Sequence, residues 1–234
     1  MTSIIFSFEE QEAKITSRII YILVVYHNVM RIFLFIIIVI GLCFTGCEKD
    51  VFMPYAYDVI LVMGQSNATS TKGFDPILDA SDNNILQLGR HDTNNLQLIT
   101  ATEPLDHFSK TKGGMGFAMT FAKIYIDSYL TTGRKIIIVP GAKGASGFSD
   151  NYWNKGDTLY EDAVYRINFL LNNFNCKVIA VLWHQGESDF LNPDFQMNLD
   201  SMIMNFRKDC IGLTNTPFIL GGLVPYYADL NPGN

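Results

Sequence analysis

The chain has 234 residues, 48% hydrophobic and 17% charged, with a formal net charge of −6. That length suits one large domain plus a leader and is ample to bury a core. The acidic balance excludes a nucleic-acid partner, because phosphate binding needs a basic face and nothing here supplies one.

Residues 30–47, MRIFLFIIIVIGLCFTGC, place a Met and an Arg before an apolar run of thirteen residues at 32–44, then small residues and a Cys. This reads as a secretory signal, too short for a membrane span of about 20 apolar residues. A retained membrane helix would have to recruit residues 19–26, and His27, Asn28 and Arg31 interrupt that run; an Arg near mid-bilayer costs roughly 3 kcal/mol. The ending LCFTGC resembles a bacterial lipoprotein signal, which implies that Cys47 carries the lipid and that the protein is exported to the membrane, periplasmic or at the cell surface. Residues 1–29 then read as an upstream extension from a miscalled start, 48–56 as a linker and 57–234 as the folded domain.

The run YDVILVM at 57–63 is continuous and rich in β-branched residues, as a buried parallel strand is. Residues 68–112 are rich in Asn, Asp, Thr and Gly, with NILQLG at 84–89 and LQLIT at 96–100 as minor strands over the sheet edge. Residues 116–133 predict a helix with Phe117, Phe121, Ile124 and Tyr125 on one face, stopping at Thr132 and Gly133. A strand follows at 135–140. Residues 158–174 predict a second helix, its apolar face Ala163, Ile167, Leu170, Leu171 and Phe174, before a strand at 177–185. Asn192 can cap a third helix with Pro193 at its first position and Phe195, Leu199, Met202, Ile203, Phe206 and Cys210 on its apolar face. PFILGGLV, 217–224, is the last strand. Alternating helices and apolar strands indicate an α/β fold with a parallel sheet covered on both faces. Cys176 and Cys210 are far apart in sequence, and a disulfide or two buried thiols are equally open.

Three segments fall just after strands or at helix starts: GQSN at 64–67, GFAMTFAK at 116–123 and WHQGESD at 183–189. In a parallel sheet these converge at one edge, where ligands collect. The first and third together resemble the signatures of the SGNH hydrolase superfamily. Within it they are similar to the carbohydrate esterases that contain the sialate O-acetylesterase domain and to the related plant and bacterial acetylxylan esterases. The likeness continues through residues 136–164 and PFILGGLVP and covers about 57–226. It implies a three-layer αβα sandwich of SGNH, flavodoxin-like type with a mainly parallel sheet. It implies removal of acetyl esters from sialic acid or hemicellulose sugars through a serine nucleophile and an acyl-enzyme, without metal or cofactor.

Carried over by resemblance, Ser66 is the nucleophile, and the Ser66 N–H, the Gly116 N–H and the Gln185 side chain are oxyanion donors. Gly116 is preferred to Gly114 because Phe-Ala follows it at the family's spacing. A serine hydroxyl is a weak nucleophile without a base, and the tetrahedral oxyanion needs donors already in place. Gln65, Asn67, Glu187 and Asp189 are supporting candidates, and Phe148, Tyr152, Trp153, Tyr226 and Tyr227 are candidates to stack on a sugar. Taken singly, Ser66 can cap the next helix, Gly116 can be a turn into a helix and Gln185 can satisfy backbone groups; the joint pattern favours chemistry.

The family places its base in a late Asp-x-x-His, and none of the four histidines, His27, His91, His107 and His184, follows an Asp at that spacing. The expectation is a domain incomplete at its C-terminus and, with these residues alone, a weak or inactive enzyme; His107 in DHFSK is a substitute base. His184 and Glu187 have an i, i+3 spacing but no second His for a zinc motif. GAKGASG at 141–147 lacks the Lys-Ser/Thr ending of a phosphate loop. Two rivals stand beside this reading. Gly64-Gln65-Ser66-Asn67-Ala68 is one residue from the α/β-hydrolase nucleophile elbow, and a non-catalytic glycan-binding lipoprotein would need no base. The oligomeric state is not legible.

Overall fold

The computed structural model describes residues 56–70, 73–109 and 113–223. The extension, the signal with Cys47, nearly all of the linker, and Tyr226 and Tyr227 lie outside the described residues.

Strands β1 (Tyr57–Gly64), β2 (Ile85–Leu88), β3 (Leu98–Thr100), β4 (Lys135–Pro140), β5 (Cys176–His184) and β6 (Phe218–Leu220) form one sheet in the order β3-β2-β4-β1-β5-β6. Every neighbouring pair is parallel except β2 with β3. The island at 84–89 is therefore more than an edge strand: it pairs with β4 on one side and β3 on the other.

Alternation along the strands builds two cores. Val59, Leu61, Met63, Ile137, Val139, Val181 and Trp183 face helices α3 (Thr158–Asn173) and α4 (Phe195–Asp209), while Ile60, Val62, Ile136, Ile138, Ala180 and Leu182 face α2 (Phe117–Tyr129). The result is the expected three-layer αβα sandwich. Each fully buried Ile, Leu or Val contributes roughly 1.5–3 kcal/mol relative to exposure, so the central strands carry most of the stability. The short α1 (Ser66–Thr69) follows β1 on the α2 side, where Ala68 joins the core, whereas the chain leaves β4 toward α3 on the opposite side. Connections that part to opposite faces open a crevice at the carboxyl ends of β1 and β4.

Helix α2 differs in detail from its sequence reading. It buries Ala118, Met119 and Ala122, and Ile124 is 59% exposed. The small alanines let the helix backbone lie close to the sheet, which moves the rings of Phe117, Phe121 and Tyr125 to its partly buried margins. Helix α3 buries Leu170 as expected but also Arg166, whose guanidinium bonds Asp162, the Gly89 carbonyl and Asn95. Helix α4 starts at Phe195, with Asn192 and Pro193 in the turn before it and Asn192 Oδ1 accepting the Asp194 N–H at 3.0 Å. Cys176 and Cys210 are buried free thiols rather than a disulfide. Among the described residues, no helix is long and apolar enough to cross a membrane.

Candidate active site

Strand β1 ends at Gly64 for a steric reason. Its φ is +123°, and a Cβ there would stand 2.1 Å from the His184 carbonyl oxygen. Only glycine accepts both conditions, and Gly64 pairs with His184 in register. The chain then turns, with the Gln65 N–H donating to the His184 carbonyl at 2.9 Å. GQSN and QGES thus leave the same sheet edge side by side.

Their side chains interlock. Gln65 is buried, and its Oε1 accepts the Ser188 N–H at 3.1 Å; Asn67 Nδ2 donates to Glu187 Oε1 at 2.5 Å. Between these two clasps Ser66 is exposed, its carbonyl receiving the Thr69 hydroxyl at 2.7 Å. No hydrogen bond among the described residues engages the Ser66 hydroxyl, so it is available to a ligand.

Asp189 organises the other side. Its carboxylate accepts the N–H groups of Phe148 (2.7 Å) and Ser149 (3.0 Å), the Gln185 amide (2.7 Å) and the Asn192 amide (3.3 Å). Burial opposes its charge, but the Ser149 and Phe148 N–H groups with the side-chain donors outweigh it and hold the carboxyl below its ordinary range. The glycine-rich loop is explained here: a Cβ on Gly147 would stand 2.7 Å from Asp189 Oδ2. Gln185 donates to Asp189 and, at 3.3 Å, to the Ser146 carbonyl, while its own Oε1 is buried with no partner among the described residues. Both of its amide protons therefore point inward to the loop, and an oxyanion must exchange with one of these acceptors.

Gly116 precedes α2 and meets α1: a Cβ on it would lie 3.1 Å from the Thr69 carbonyl oxygen. The second block is thereby placed beside the short helix that opens with Ser66. Its N–H donates to Glu103 Oε1 at 3.1 Å, and Glu103 Oε2 also accepts the Leu105 N–H at 3.3 Å. Burial pushes the Glu103 carboxyl up to about 7, against these two N–H bonds. Sequence reasoning missed Glu103, since an acid before Pro104 in a polar loop carries no local signal. Phe190, Asn192, Phe195, Leu220 and Leu223 join Gln185 around a cleft of about 490 Å³ beyond β5 and β6.

Three candidates, Trp153, Phe148 and His107, are corrected. Trp153 is fully buried, its indole N–H bonded to Ser146 Oγ at 3.0 Å and its ring edge-on to Trp183 at 5.0 Å, so it supports the loop and cannot stack on a sugar. Phe148 is buried in the same way, whereas Tyr152 is half-buried beneath the Lys143 ammonium. His107 is also fully buried. Its Nδ1 accepts the Ala142 N–H at 3.3 Å, and burial, with Arg90 nearby, drives its pKa down to about 3. An imidazole so reluctant to take a proton is poorly suited to be a base at neutral pH.

Residues 56–231 match the family described as carbohydrate esterase, sialic acid-specific acetylesterase. The chain belongs to that family. Among curated relatives, the chain is 31% identical over 184 residues to a probable carbohydrate esterase of Arabidopsis thaliana, a match spanning 69% of the chain and 66% of the relative's length. The crystal structure of NanS aligns with a TM-score of 0.65 at 23% identity, covering 76% of the chain and 71% of NanS, a likeness of fold. A 1.6 Å structure of the Arabidopsis thaliana protein At4g34215 aligns with a TM-score of 0.62 at 28% identity, covering 71% and 74%.

Proposed function

We propose that the protein is a carbohydrate O-acetylesterase that removes acetyl groups from sialic acid or hemicellulose sugars through Ser66. The observation that carries this reading is the double clasp of Gln65 with Ser188 and Asn67 with Glu187, which leaves the Ser66 hydroxyl exposed at the sheet edge. In this reading Ser66 Oγ bonds to the acetyl carbon as its proton passes to a base, and the ester C–O bond breaks as the sugar oxygen takes that proton. Water then attacks the acetyl-serine, releasing acetate and restoring the hydroxyl. The Ser66, Gly116 and Gln185 donors stabilise the oxyanion, each typically worth about 10²- to 10³-fold in rate. Gln65, Asn67, Glu187 and Asp189 hold these groups in place, and the substrate needs no metal or cofactor. The base is of the Asp-x-x-His kind in this family and is assigned to none of the four histidines of the sequence. Export and anchoring at Cys47 follow from the signal-like residues 30–47.

The burial of His107 favours a second reading, a glycan-binding relative that retains the cleft without turnover. Hydrolysis of 4-nitrophenyl acetate and of acetylated sialic acid and xylan by the native chain and Ser66→Ala separates the two. A loss of at least about 10³-fold in Ser66→Ala is expected. Turnover equal in both proteins refutes Ser66, and sugar binding with no turnover in the native chain supports the second reading.

A further inference from the structure

Both candidate oxyanion donors beyond Ser66 are held by carboxylates, but the two carboxylates are unlike. Asp189 collects four donors, two of them at 2.7 Å, and stays charged. Glu103 collects two backbone N–H groups at 3.1 and 3.3 Å. The Gly116 amide has a single hydrogen, so it cannot serve Glu103 and a developing oxyanion at full strength together. An ionised Glu103 would also stand beside that oxyanion as a like charge.

Resting on the esterase reading, we propose that Glu103 is a positioning residue that gates the Gly116 amide: its carboxylate holds the N–H at rest, and its neutral form yields that N–H to the reaction. A neutral carboxyl is the weaker acceptor and adds no repulsion. The setting supports this, since burial is the main cause that moves the Glu103 carboxyl to about 7. Among the described residues, two charged groups face it. Asp79, in the loop after α1, disfavours its ionisation, and Lys123 of α2 favours it, although that ammonium is already bonded to the Leu78 and Ala80 carbonyls. A plain cap for α2, whose preceding residue Gly116 has no side chain to offer, predicts a stability effect without a change in pH profile.

The test is kcat/KM for 4-nitrophenyl acetate from pH 5 to 9, with the native chain and Glu103→Gln, which keeps the size and an acceptor but no charge. The native profile falls on an alkaline limb with a midpoint near 7, and Glu103→Gln lacks that limb, so that at pH 8 it exceeds the native rate by about tenfold. An identical alkaline limb in both proteins overturns the proposal. The Gly116 amide proton resonance supplies a readout that needs no turnover: it follows a titration near pH 7 in the native chain and stays flat in Glu103→Gln. A flat resonance in the native chain also overturns the proposal. Ser66→Ala run alongside distinguishes the failures. Hydrolysis independent of Ser66 defeats the esterase reading, whereas Ser66-dependent hydrolysis with an unchanged limb defeats only the gate.

Discussion

Replacing Asp189 tests whether one carboxylate holds the glycine-rich loop and Gln185 together. In Asp189→Ala, the buried Phe148 N–H and Gln185 amide lose their acceptor, while Ser149 and Asn192 lie nearer solvent. Each buried orphaned donor costs about 1–3 kcal/mol, so the loss is about 3–5 kcal/mol once some relaxation is allowed. Asp189→Asn keeps one oxygen for Phe148 and Gln185 but turns an amide NH₂ toward the donors from Ser149 and Asn192; its loss is about 2–3 kcal/mol. Urea unfolding at pH 7 reads both. The charge contribution has a definite sign. Because the folded-state pKa lies below the ordinary 3.8, this stability is present above that value and fades as pH falls through the folded value. The gap between native and Asp189→Asn should therefore narrow below about pH 4. An Asp189→Asn protein within about 0.5 kcal/mol of native at pH 7 would refute the hub.

Gly64→Ala is expected to lose more than about 3 kcal/mol, or to fail to fold, because its Cβ would enter the His184 carbonyl at a positive φ; thermal melting checks this, and a melting point near native contradicts the steric account. Growth of cells with a palmitate analogue is expected to label the native protein and not Cys47→Ala, and equal labelling of the two removes Cys47 as the anchor.

Much of the architecture was legible because burial on both faces leaves a plain trace. The runs at β1, β4 and β5 are continuously apolar, and a parallel sheet between two helix layers is the arrangement that needs such runs. The face of α2 was misread because hydrophobicity favours large rings, whereas close packing on the sheet selected Ala118 and Ala122. GQSN and WHQGESD identified the site edge because their residue types are unusual after buried strands. What residue types do not encode is which way a side chain points. Trp153 looked like a sugar platform and His107 like a base, yet the surrounding core enclosed both. Glu103 was invisible for the opposite reason: its importance comes from the Gly116 amide thirteen positions away, a partner set only by the fold.

The clasp between Asn67 and Glu187 joins residues 120 positions apart. During synthesis at roughly 5–20 residues per second, the segment that carries Ser66 therefore waits about 6–24 s for its partner to be made. For most of that interval β1 lacks β5 (Cys176–His184), the neighbour that covers one of its edges, and the apolar strand depends on other protection from mispairing. Premature termination before residue 187 would yield a chain that carries Ser66 without either clasp, so the order of manufacture makes the Ser66 turn the last part of this edge to be held in place.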